Sequence, residues 1–283
     1  MIDPGTLRQS VRSALLEDLG TGDVTSLAVI AEGTRARGRI VAREALVAAG
    51  LAVAREVFVQ VDPALTFREE AADGARRAPG EPMATVEGPA RSILAGERTA
   101  LNFLQRMSGI ATTVARLVRL VAGSGAQIAD TRKTAPGLRA FDKYAVRMGG
   151  GTNHRTGLYD GMLIKDNHWR LAGGVGEAVR RARLALGDAG AARRALEVEV
   201  GSIQEVEEAL EAGAGALLLD NMDPDTLERA VALARGRAFL EVSGGVREED
   251  VPRLCALGVQ RISLGVLTHS VRAADIALEL EEV

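Results

Sequence analysis

The stretch that decides the fold is residues 196–221, LEVEVGSIQEVEEALEAGAGALLLDN. It begins with a short apolar run, Leu196–Val200, continues as a helical pattern over Ile203–Ala212, and ends with a second apolar run, Ala216–Leu219. Ser202 precedes the helical pattern as an N-cap, because its hydroxyl can accept a hydrogen bond from the first turn. A strand, a helix and a second strand in this order predict a βαβ unit with parallel strands.

The same alternation continues along the chain on both sides of this unit. Short apolar runs that end in polar or glycine residues recur at Gln127–Asp130, Gly161–Ile164, Ala238–Val242 and Gln260–Leu264. Counted together, these six runs predict an α/β fold built on an incomplete, TIM-like α/β barrel of six or seven strands. In such a barrel the functional side chains follow the carboxyl ends of the strands. A doubly wound parallel sheet is the alternative architecture.

The first hundred residues follow a different pattern, which predicts an α+β domain. The predicted strands and helices of this part are Arg37–Glu44, Leu51–Val61, Leu65–Glu70, Met83–Val86 and Ala90–Met107. We therefore expect the α+β domain over residues 1–108 and the barrel over residues 109–269. The periodicity of residues 270–283 predicts a C-terminal helix that packs back on the first domain.

Composition excludes several classes of protein. A net charge of −3 argues against general nucleic-acid binding, which needs a basic face. No apolar stretch approaches the roughly 20 residues that span a bilayer, so no membrane partner is expected. A single cysteine, Cys255, excludes an intramolecular disulfide. The N-terminus lacks the apolar segment of a signal peptide, which favours a cytoplasmic location.

One segment of the chain is rich in cations, in contrast to the rest. Only three of the 35 basic residues are lysines, and all three, Lys133, Lys143 and Lys165, lie within about 33 residues. Because arginine fills the basic positions elsewhere, these lysines suggest sites where a planar guanidinium does not fit. The active site is therefore expected in this segment.

The strongest motif is residues 130–155, DTRKTAPGLRAFDKYAVRMGGGTNHR. Thr131, Arg132 and Lys133 leave the end of a predicted strand, His154 and Arg155 follow a run of three glycines, and Lys165 ends the next strand. Arginine binds carboxylates in a bidentate manner, so these cations suit a substrate with two carboxylates and a phosphorylated co-substrate. Arg139, Lys143 and Arg147 are spaced by four and are expected on a solvated helix face or at a subunit contact.

Acidic and glycine-rich strand ends complete the candidate site. Alternation places Glu197 and Glu199 on one face of their strand, and Asp220 ends the next one. Glu199 and Asp220 suit a magnesium–diphosphate site; internal salt bridging, above all by Glu197, is the alternative. Two further turns follow the last two predicted strands and suit a phosphate group, namely Ser243-Gly244-Gly245 and Leu264-Gly265-Val266.

Taken together, these segments resemble the quinolinate phosphoribosyltransferases. The resemblance spans nearly the whole chain and rests on eight ordered segments, EDLGTGDVTS, ERTALNFLQRMSGIAT, DTRKTAPGLR, GGGTNHRTGLYDGMLIKDNH, LEVEV, LLLDNM, SGGV and LGVLTHS. It implies an N-terminal sandwich domain on an incomplete α/β barrel. It also implies transfer of phosphoribose from phosphoribosyl pyrophosphate (PRPP) to quinolinate with Mg²⁺, giving nicotinate mononucleotide, diphosphate and CO₂ in NAD biosynthesis.

The resemblance also implies a role for each matching residue. Arg132, His154, Arg155 and Lys165 would bind the quinolinate carboxylates, and Lys133 would contact substrate and phosphates. Glu199 and Asp220 would face the ribose and the metal–diphosphate. The residues 243–245 and Gly265 would hold the 5-phosphate. Arg98 would reach the neighbouring subunit's site in a homodimer, with a hexamer as the larger alternative.

Three other functions remain as alternatives. Two are enzymes, a related transferase associated with molybdenum uptake operons and a non-carboxylating nicotinate phosphoribosyltransferase. The third is a non-catalytic phosphate or nucleotide sensor on the same scaffold. The intact segment Lys165-Asp166-Asn167-His168 favours the quinolinate enzyme over the molybdenum-operon transferase, and the retained bases and acids argue against a sensor.

Overall fold

The computed structural model describes residues 1–187 and 196–283. The elements of the first range are α1 (Pro4–Leu19), α2 (Val24–Val29), β1 (Arg35–Ala42), β2 (Leu46–Val47), α3 (Leu51–Val61), β3 (Thr66–Glu69), β4 (Arg76–Arg77), β5 (Pro82–Pro89), α4 (Ala90–Leu120), β6 (Gln127–Ala129), α5 (Arg139–Met148), β7 (Met162–Ile164), α6 (Asp166–Ala172) and α7 (Val175–Leu186). Those of the second are β8 (Leu196–Val200), α8 (Ile203–Glu211), β9 (Ala216–Asp220), α9 (Pro224–Ala234), β10 (Phe239–Ser243), a 3₁₀ turn (Glu248–Asp250), α10 (Val251–Leu257), β11 (Arg261–Ser263), α11 (Val266–His269) and β12 (Ile276–Glu282).

The chain divides into two compact units. Unit 1 comprises Met1–Arg116, Thr134–Gly151 and Val266–Val283, and unit 2 comprises Leu117–Lys133 and Thr152–Gly265. Helix α4 is 31 residues long and runs through the boundary predicted at residue 109. Among the described residues, no helix combines the length and the apolar composition that crossing a membrane requires.

Unit 1 is built on an antiparallel sheet in the order β12–β1–β5–β3. Its core includes the fully buried side chains of Ile40, Met83 and Phe58. Helix α3 contributes Phe58, whose ring stacks on Phe67 of β3 with the ring centroids 5.7 Å apart. The predicted strands and the helix Leu51–Val61 of the first hundred residues are all present in this unit, so the α+β assignment is confirmed.

The helix predicted for residues 270–283 is wrong, because Ile276–Glu282 forms strand β12. This strand pairs antiparallel with β1, with Ala277 opposite Val41 and Glu281 opposite Arg37. Seven residues are too few to separate a period of two from a period of 3.6, and pairing with a strand that is distant in sequence decides the outcome. The C-terminal segment does pack on the N-terminal sheet, as an edge strand.

Unit 2 contains a six-stranded sheet in the order β6–β11–β10–β9–β8–β7. Its paired strands are all parallel. Chain order and spatial order therefore agree from β7 to β11, and β6 follows β11, as in an α/β barrel. A doubly wound sheet would instead reverse its order at a switch point. Among the described residues the sheet does not close between β6 and β7, so the incomplete barrel is confirmed.

Helix α8 of unit 2 begins at the predicted residue, Ile203, and ends at Glu211, one residue before the predicted end. Ser202 caps α8, its hydroxyl accepting a hydrogen bond from the backbone of Glu205 at 3.3 Å. The apolar stripe of α8 is buried through Val206, Ala209 and Leu210. This helix contacts strand β8 and its two neighbouring helices, α7 and α9. Such outer packing leaves the opposite face of the sheet for polar side chains.

Candidate active site

The strand register places a row of polar side chains on one face of the barrel sheet. Glu199 lies opposite Leu218, Leu218 opposite Glu241, and Glu241 opposite Arg261. Residues paired in a parallel sheet share a face, and so do residues two positions further along each strand. Asp220, Ser243 and Ser263 therefore join the same face. This polar face is where the candidate site assembles.

Lys165 and Glu199 form an ion pair at the carboxyl ends of β7 and β8. Lys165 Nζ lies 2.5 Å from Glu199 Oε2. The lysine side chain is 45% exposed, whereas the glutamate side chain is only 12% exposed. The backbone of Lys165 is held as well, since its N–H donates to His168 Nδ1 at 2.8 Å. The two residues predicted from separate motifs thus meet directly.

Arg155 belongs to the same group of charges. Partial burial lowers the pKa of its guanidinium below the usual value, and the nearby charge of Arg132 lowers this pKa further, while Asp160, Glu197 and Glu199 act in the opposite direction. A guanidinium crowded by another cation is favourable for binding an anion, because the anion relieves the repulsion.

The segment that carries His154 and Arg155 is attached to strand β6 through Asp130. Thr152 forms a parallel bridge with Ala129 at the end of this strand. The fully buried Asp130 then accepts hydrogen bonds from the Asn153 side chain at 2.6 Å and from the His154 backbone at 2.9 Å. Asp130 therefore fixes the position from which the next two side chains extend.

His154 has both ring nitrogens engaged. Its Nδ1 accepts from the backbone N–H of Arg155 at 2.7 Å, so the ring proton is on Nε2. Nε2 donates to Glu197 Oε2 at 2.9 Å and lies 3.6 Å from Glu241 Oε1. His154 contacts a substrate carboxylate only if its Nε2–H leaves Glu197. His154, Glu197 and Glu241 each offer one ligand atom within 4.8 Å of the others, so this group could hold a metal ion.

Glu197 and Glu241 form a buried carboxyl pair with opposite pKa shifts. Burial and the negative charge of Glu197 raise the pKa of Glu241 to about 7. For Glu197, burial favours the neutral form, but hydrogen bonds from His154 and Glu241 outweigh it and lower the pKa. Glu241 is completely buried and accepts from Ser263 Oγ at 2.5 Å and Arg261 at 2.8 Å. Glu241 therefore keeps its proton well above the pH at which an ordinary carboxyl group loses it, while Glu197 beside it is ionised more readily.

A second cluster lies at the ends of β9 and β10. Asp220 is paired with Ser243 in register, and Asn221 donates from its side chain to Asp220 Oδ2 at 2.6 Å. The backbone N–H of Asn221 donates to the Ser243 carbonyl at 3.2 Å. Gly244 has a φ of +86° and approaches Asn221 so closely that a Cβ there would lie 2.5 Å from Asn221 Cγ. The carboxylate and the glycine turn are thus physically connected.

The remaining predicted residues are distributed as follows. Thr131 Oγ1 accepts from the backbone of the exposed Lys133 at 3.0 Å. Leu264 is buried, and its N–H donates to Ala129 at 3.0 Å, which places the half-buried Gly265 beside the end of β6. Arg98 and Val266 are exposed residues of unit 1.

The solvated helix face expected for Arg139, Lys143 and Arg147 is wrong for its central residue. Lys143 is only 3% exposed, whereas Arg147 is exposed. A helix buries a stripe on one side, and α5 also buries Phe141, Asp142 and Val146. Asp142 pairs with Arg106 at 2.8 Å inside unit 1. A spacing of four therefore did not indicate exposure here.

A cavity of about 860 Å³ opens in unit 2 near the amino-terminal ends of β7, β9, β10 and β11. Among the predicted site residues, its described lining includes His154, Arg155 and Glu197. Lys165, Glu199 and Asp220 do not belong to that lining. Arg155 thus borders this cavity, and it also interacts electrostatically with Glu199, which lies toward the carboxyl end of β8.

Sequence reasoning missed Glu241, which is central to the polar face. Alternation in Phe239–Ser243 places Glu241 and Ser243 on one face, by the same rule that selected Glu197 and Glu199. Asp130 and Asn221 were also not selected. Asp130 begins the cation-rich motif, but nothing local indicates that it is buried.

These features define a class: a parallel α/β-barrel protein whose polar sheet face brings arginine and lysine cations against carboxylates, as binding of anionic substrates requires. Comparison of the sequence with models of known protein families identifies the family within this class. The family model described as quinolinate phosphoribosyl transferase, N-terminal domain, matches residues 23–108, and the C-terminal domain model matches residues 110–279. The chain belongs to the quinolinate phosphoribosyltransferase family.

Individual relatives agree with this assignment. The chain is 44% identical over 281 residues to a nicotinate-nucleotide pyrophosphorylase [carboxylating] of Mycobacterium leprae (strain TN), covering 96% of each. It is 42% identical to the probable nicotinate-nucleotide pyrophosphorylase [carboxylating] of Bacillus subtilis (strain 168), over 97% of this chain and 93% of that protein. The solved nicotinate-nucleotide pyrophosphorylase of Francisella tularensis superposes with a TM-score of 0.92 at 37% identity, covering 99% of this chain and 98% of that one.

Proposed function

We propose that this chain transfers phosphoribose from PRPP to quinolinate and decarboxylates the product, giving nicotinate mononucleotide, diphosphate and CO₂ in NAD biosynthesis. Membership of the family supports the reaction. The observation that carries the assignment of the site is the meeting of Lys165 with Glu199 at 2.5 Å, beside the charges of Arg155 and Arg132. The positively charged groups that would bind the two carboxylates of quinolinate therefore lie next to the carboxylate that would face the positive charge on the ribose.

The cationic side of this site would bind quinolinate. Arg132, Arg155 and Lys165 would hold its two carboxylates, with His154 contributing beside them. Lys165 is suited to binding a substrate carboxylate in place of Glu199, because its ammonium group is half-exposed. Thr131 and Lys133, which flank Arg132 after the end of β6, would contact the phosphorylated co-substrate. Charge-assisted contacts of this kind are about twice as strong as neutral hydrogen bonds.

The acidic side would bind the sugar. Glu199 and Asp220 would face the ribose carbon at which positive charge develops, and they lie on one face of neighbouring strands. Ser243, Gly244, Gly245, Leu264, Gly265 and Val266 would hold the 5-phosphate, largely through backbone N–H groups. When Lys165 moves to quinolinate, the negative charge of Glu199 becomes available to the ribose.

Glu199 and Asp220 also fit the Mg²⁺ that the family uses. Both are oxygen ligands at strand ends, and Mg²⁺ is usually held by one or two carboxylates together with substrate phosphates. When bound there, the ion would neutralise charge on the departing diphosphate. The group of His154, Glu197 and Glu241 suits it less, because Arg261 and Ser263 already occupy both oxygens of Glu241.

The chemistry follows from this placement of charge. The bond from the ribose carbon to diphosphate breaks, and the pyridine nitrogen forms the new bond to that carbon. The ring is then cationic and accepts the electron pair released when its 2-carboxylate leaves as CO₂; a proton replaces CO₂ at that carbon. Preorganised charge is often the largest catalytic contribution, and here it comes from Arg155, Lys165, Glu199 and Asp220.

We also propose that the enzyme is a homodimer, in the cytoplasm, in which Arg98 of the partner subunit completes each site. Arg98 is exposed on α4, as such a contact requires. A hexamer remains the larger alternative.

Direct assay tests the proposed reaction. Purified protein is incubated with PRPP, Mg²⁺ and quinolinate labelled in its 2-carboxylate, and both nicotinate mononucleotide and labelled CO₂ are measured. We expect equal amounts of the two products. Turnover of nicotinate but not quinolinate would indicate the non-carboxylating enzyme, and binding of PRPP without turnover would indicate a sensor.

A further inference from the structure

Asn221 has an unusual backbone conformation at the end of β9. Its φ is +51°, which makes it the single non-glycine residue with a positive φ in the described ranges 1–187 and 196–283. Asparagine tolerates this left-handed region better than most residues, but the conformation still carries strain. Strain of this kind persists only where the surrounding contacts enforce it, and it is concentrated at functional sites.

The contacts that enforce it connect the two halves of the PRPP site. The side-chain amide of Asn221 donates to Asp220 Oδ2 at 2.6 Å, and its backbone N–H donates to the Ser243 carbonyl at 3.2 Å. The absence of a side chain at Gly244 is what admits Asn221, because a Cβ at Gly244 would lie 2.8 Å from the Asn221 nitrogen. One residue therefore contacts both the end of β9 and the turn after β10.

We propose that Asn221 is a positioning residue for PRPP. It holds the Asp220 carboxylate in the orientation that meets the diphosphate side of PRPP, and it fixes the Ser243–Gly245 turn that meets the 5-phosphate. This inference rests on the proposed function, which assigns both groups to PRPP. Because Asn221 acts only on that half of the site, it controls PRPP binding and leaves quinolinate binding unchanged.

The left-handed backbone is part of this role. A residue with ordinary φ at position 221 would direct its side chain away from Asp220 and would move its N–H away from the Ser243 carbonyl. Glycine at 221 keeps the backbone conformation and removes the amide, so it isolates the contact with Asp220. Aspartate keeps the tolerance for positive φ but replaces the donor by a second negative charge.

The test compares Asn221→Gly and Asn221→Asp with Gln204→Ala, a control on the exposed face of α8 in the same unit. For each protein we measure KM for PRPP, KM for quinolinate, the melting temperature, and the Kd of PRPP by calorimetry with and without Mg²⁺. We expect Asn221→Gly to raise KM and Kd for PRPP about tenfold, which corresponds to about 1.4 kcal/mol. We expect Asn221→Asp to raise both further, and KM for quinolinate to remain at the control value.

The outcomes separate this inference from the proposed function. Equal changes in both KM values, or no change in the Kd of PRPP, in Asn221→Gly would overturn the positioning role. Asp220→Ala is measured in parallel. If Asp220→Ala weakens PRPP binding but Asn221→Gly does not, only the inference fails; if Asp220→Ala leaves PRPP binding unchanged, the assignment of Asp220 to PRPP fails as well.

Discussion

Glu241→Gln tests the buried carboxyl pair through the pH dependence of stability. In the native protein the pKa of Glu241 is about 7, against an ordinary value of 4.5. The folded state therefore keeps a proton that the unfolded chain releases as the pH rises above about 4.5. The contribution of Glu241 to the free energy of unfolding is therefore largest below pH 4.5, and it is lost as the pH rises from 4.5 through 7. A difference of about 2.5 pKa units corresponds to a loss on the order of 3 kcal/mol.

Glutamine has nearly the same shape and no charge to titrate, so the variant should lack this loss. Urea unfolding of unit 2 can be followed by the fluorescence of Trp169, the single tryptophan of the chain. The variant's free energy of unfolding, taken relative to the unsubstituted protein, should rise by about 3 kcal/mol between pH 4.5 and pH 8. The exposed carboxyl of Glu249 provides the control, Glu249→Gln, for which this difference should stay near zero. A Glu241→Gln difference that is equal at both pH values would refute the raised pKa.

Three further predictions concern the proposed site. Lys165→Ala should lower kcat/KM by about a hundredfold or more, the loss typical for removing a preorganised charge. Its melting temperature should be unchanged, because the Lys165 side chain is half-exposed. Arg181→Ala on α7 is the control for removal of a charge, and a fully active Lys165→Ala would exclude this lysine from the site. Gly244→Ala should raise KM for PRPP through its clash with Asn221, whereas Gly236→Ala, with φ +75° and nothing within 4 Å of a Cβ, should cost similar backbone strain and leave KM unchanged. Mixing the inactive variants Arg98→Ala and Lys165→Ala, with exchange of subunits, should restore roughly a quarter of full activity. Half of the randomly formed dimers would contain one subunit of each variant, and in such a dimer one of the two sites would be intact. If no activity returns, Arg98 does not belong to the partner's site.

The alternation of strands and helices in unit 2 could be predicted from the sequence, because it depends on local periodicity. The runs ending at Asp130, Lys165, Asp220 and Ser243 are all strand ends in the structure, and parallel strands bring such ends to one edge. The strand β12 could not be predicted in the same way. Its seven residues carry no decisive period, and their pairing with β1 is a contact between opposite ends of the chain.

The candidate site was predictable in its charges but not in its hydrogen bonds. Lys165 and Glu199 were each expected in the site from the position of their charges at strand ends, and in the structure they form an ion pair. That both nitrogens of His154 are engaged depends on Glu197 and on the Arg155 backbone, and periodicity does not specify such contacts. The alternation of buried and exposed positions could have identified Glu241 as a residue of this face. Its raised pKa could not be predicted, because it depends on the complete burial of Glu241 and on the neighbouring carboxylate of Glu197.

The gap between β6 and β7 has a mechanical consequence. Within residues 1–187 and 196–283, strand β6 has one strand neighbour, β11. On its other side lie the bridge to Thr152 and the two hydrogen bonds to the Asp130 side chain. A closed barrel would continue the strand pairing on this side of β6, whereas here a short backbone bridge at Thr152 and the hydrogen bonds to the Asp130 side chain hold the chain. We therefore expect the His154–Arg155 segment to adjust to a bound diacid more easily than a fully paired strand would, and we expect the contacts of Asp130 to limit that adjustment.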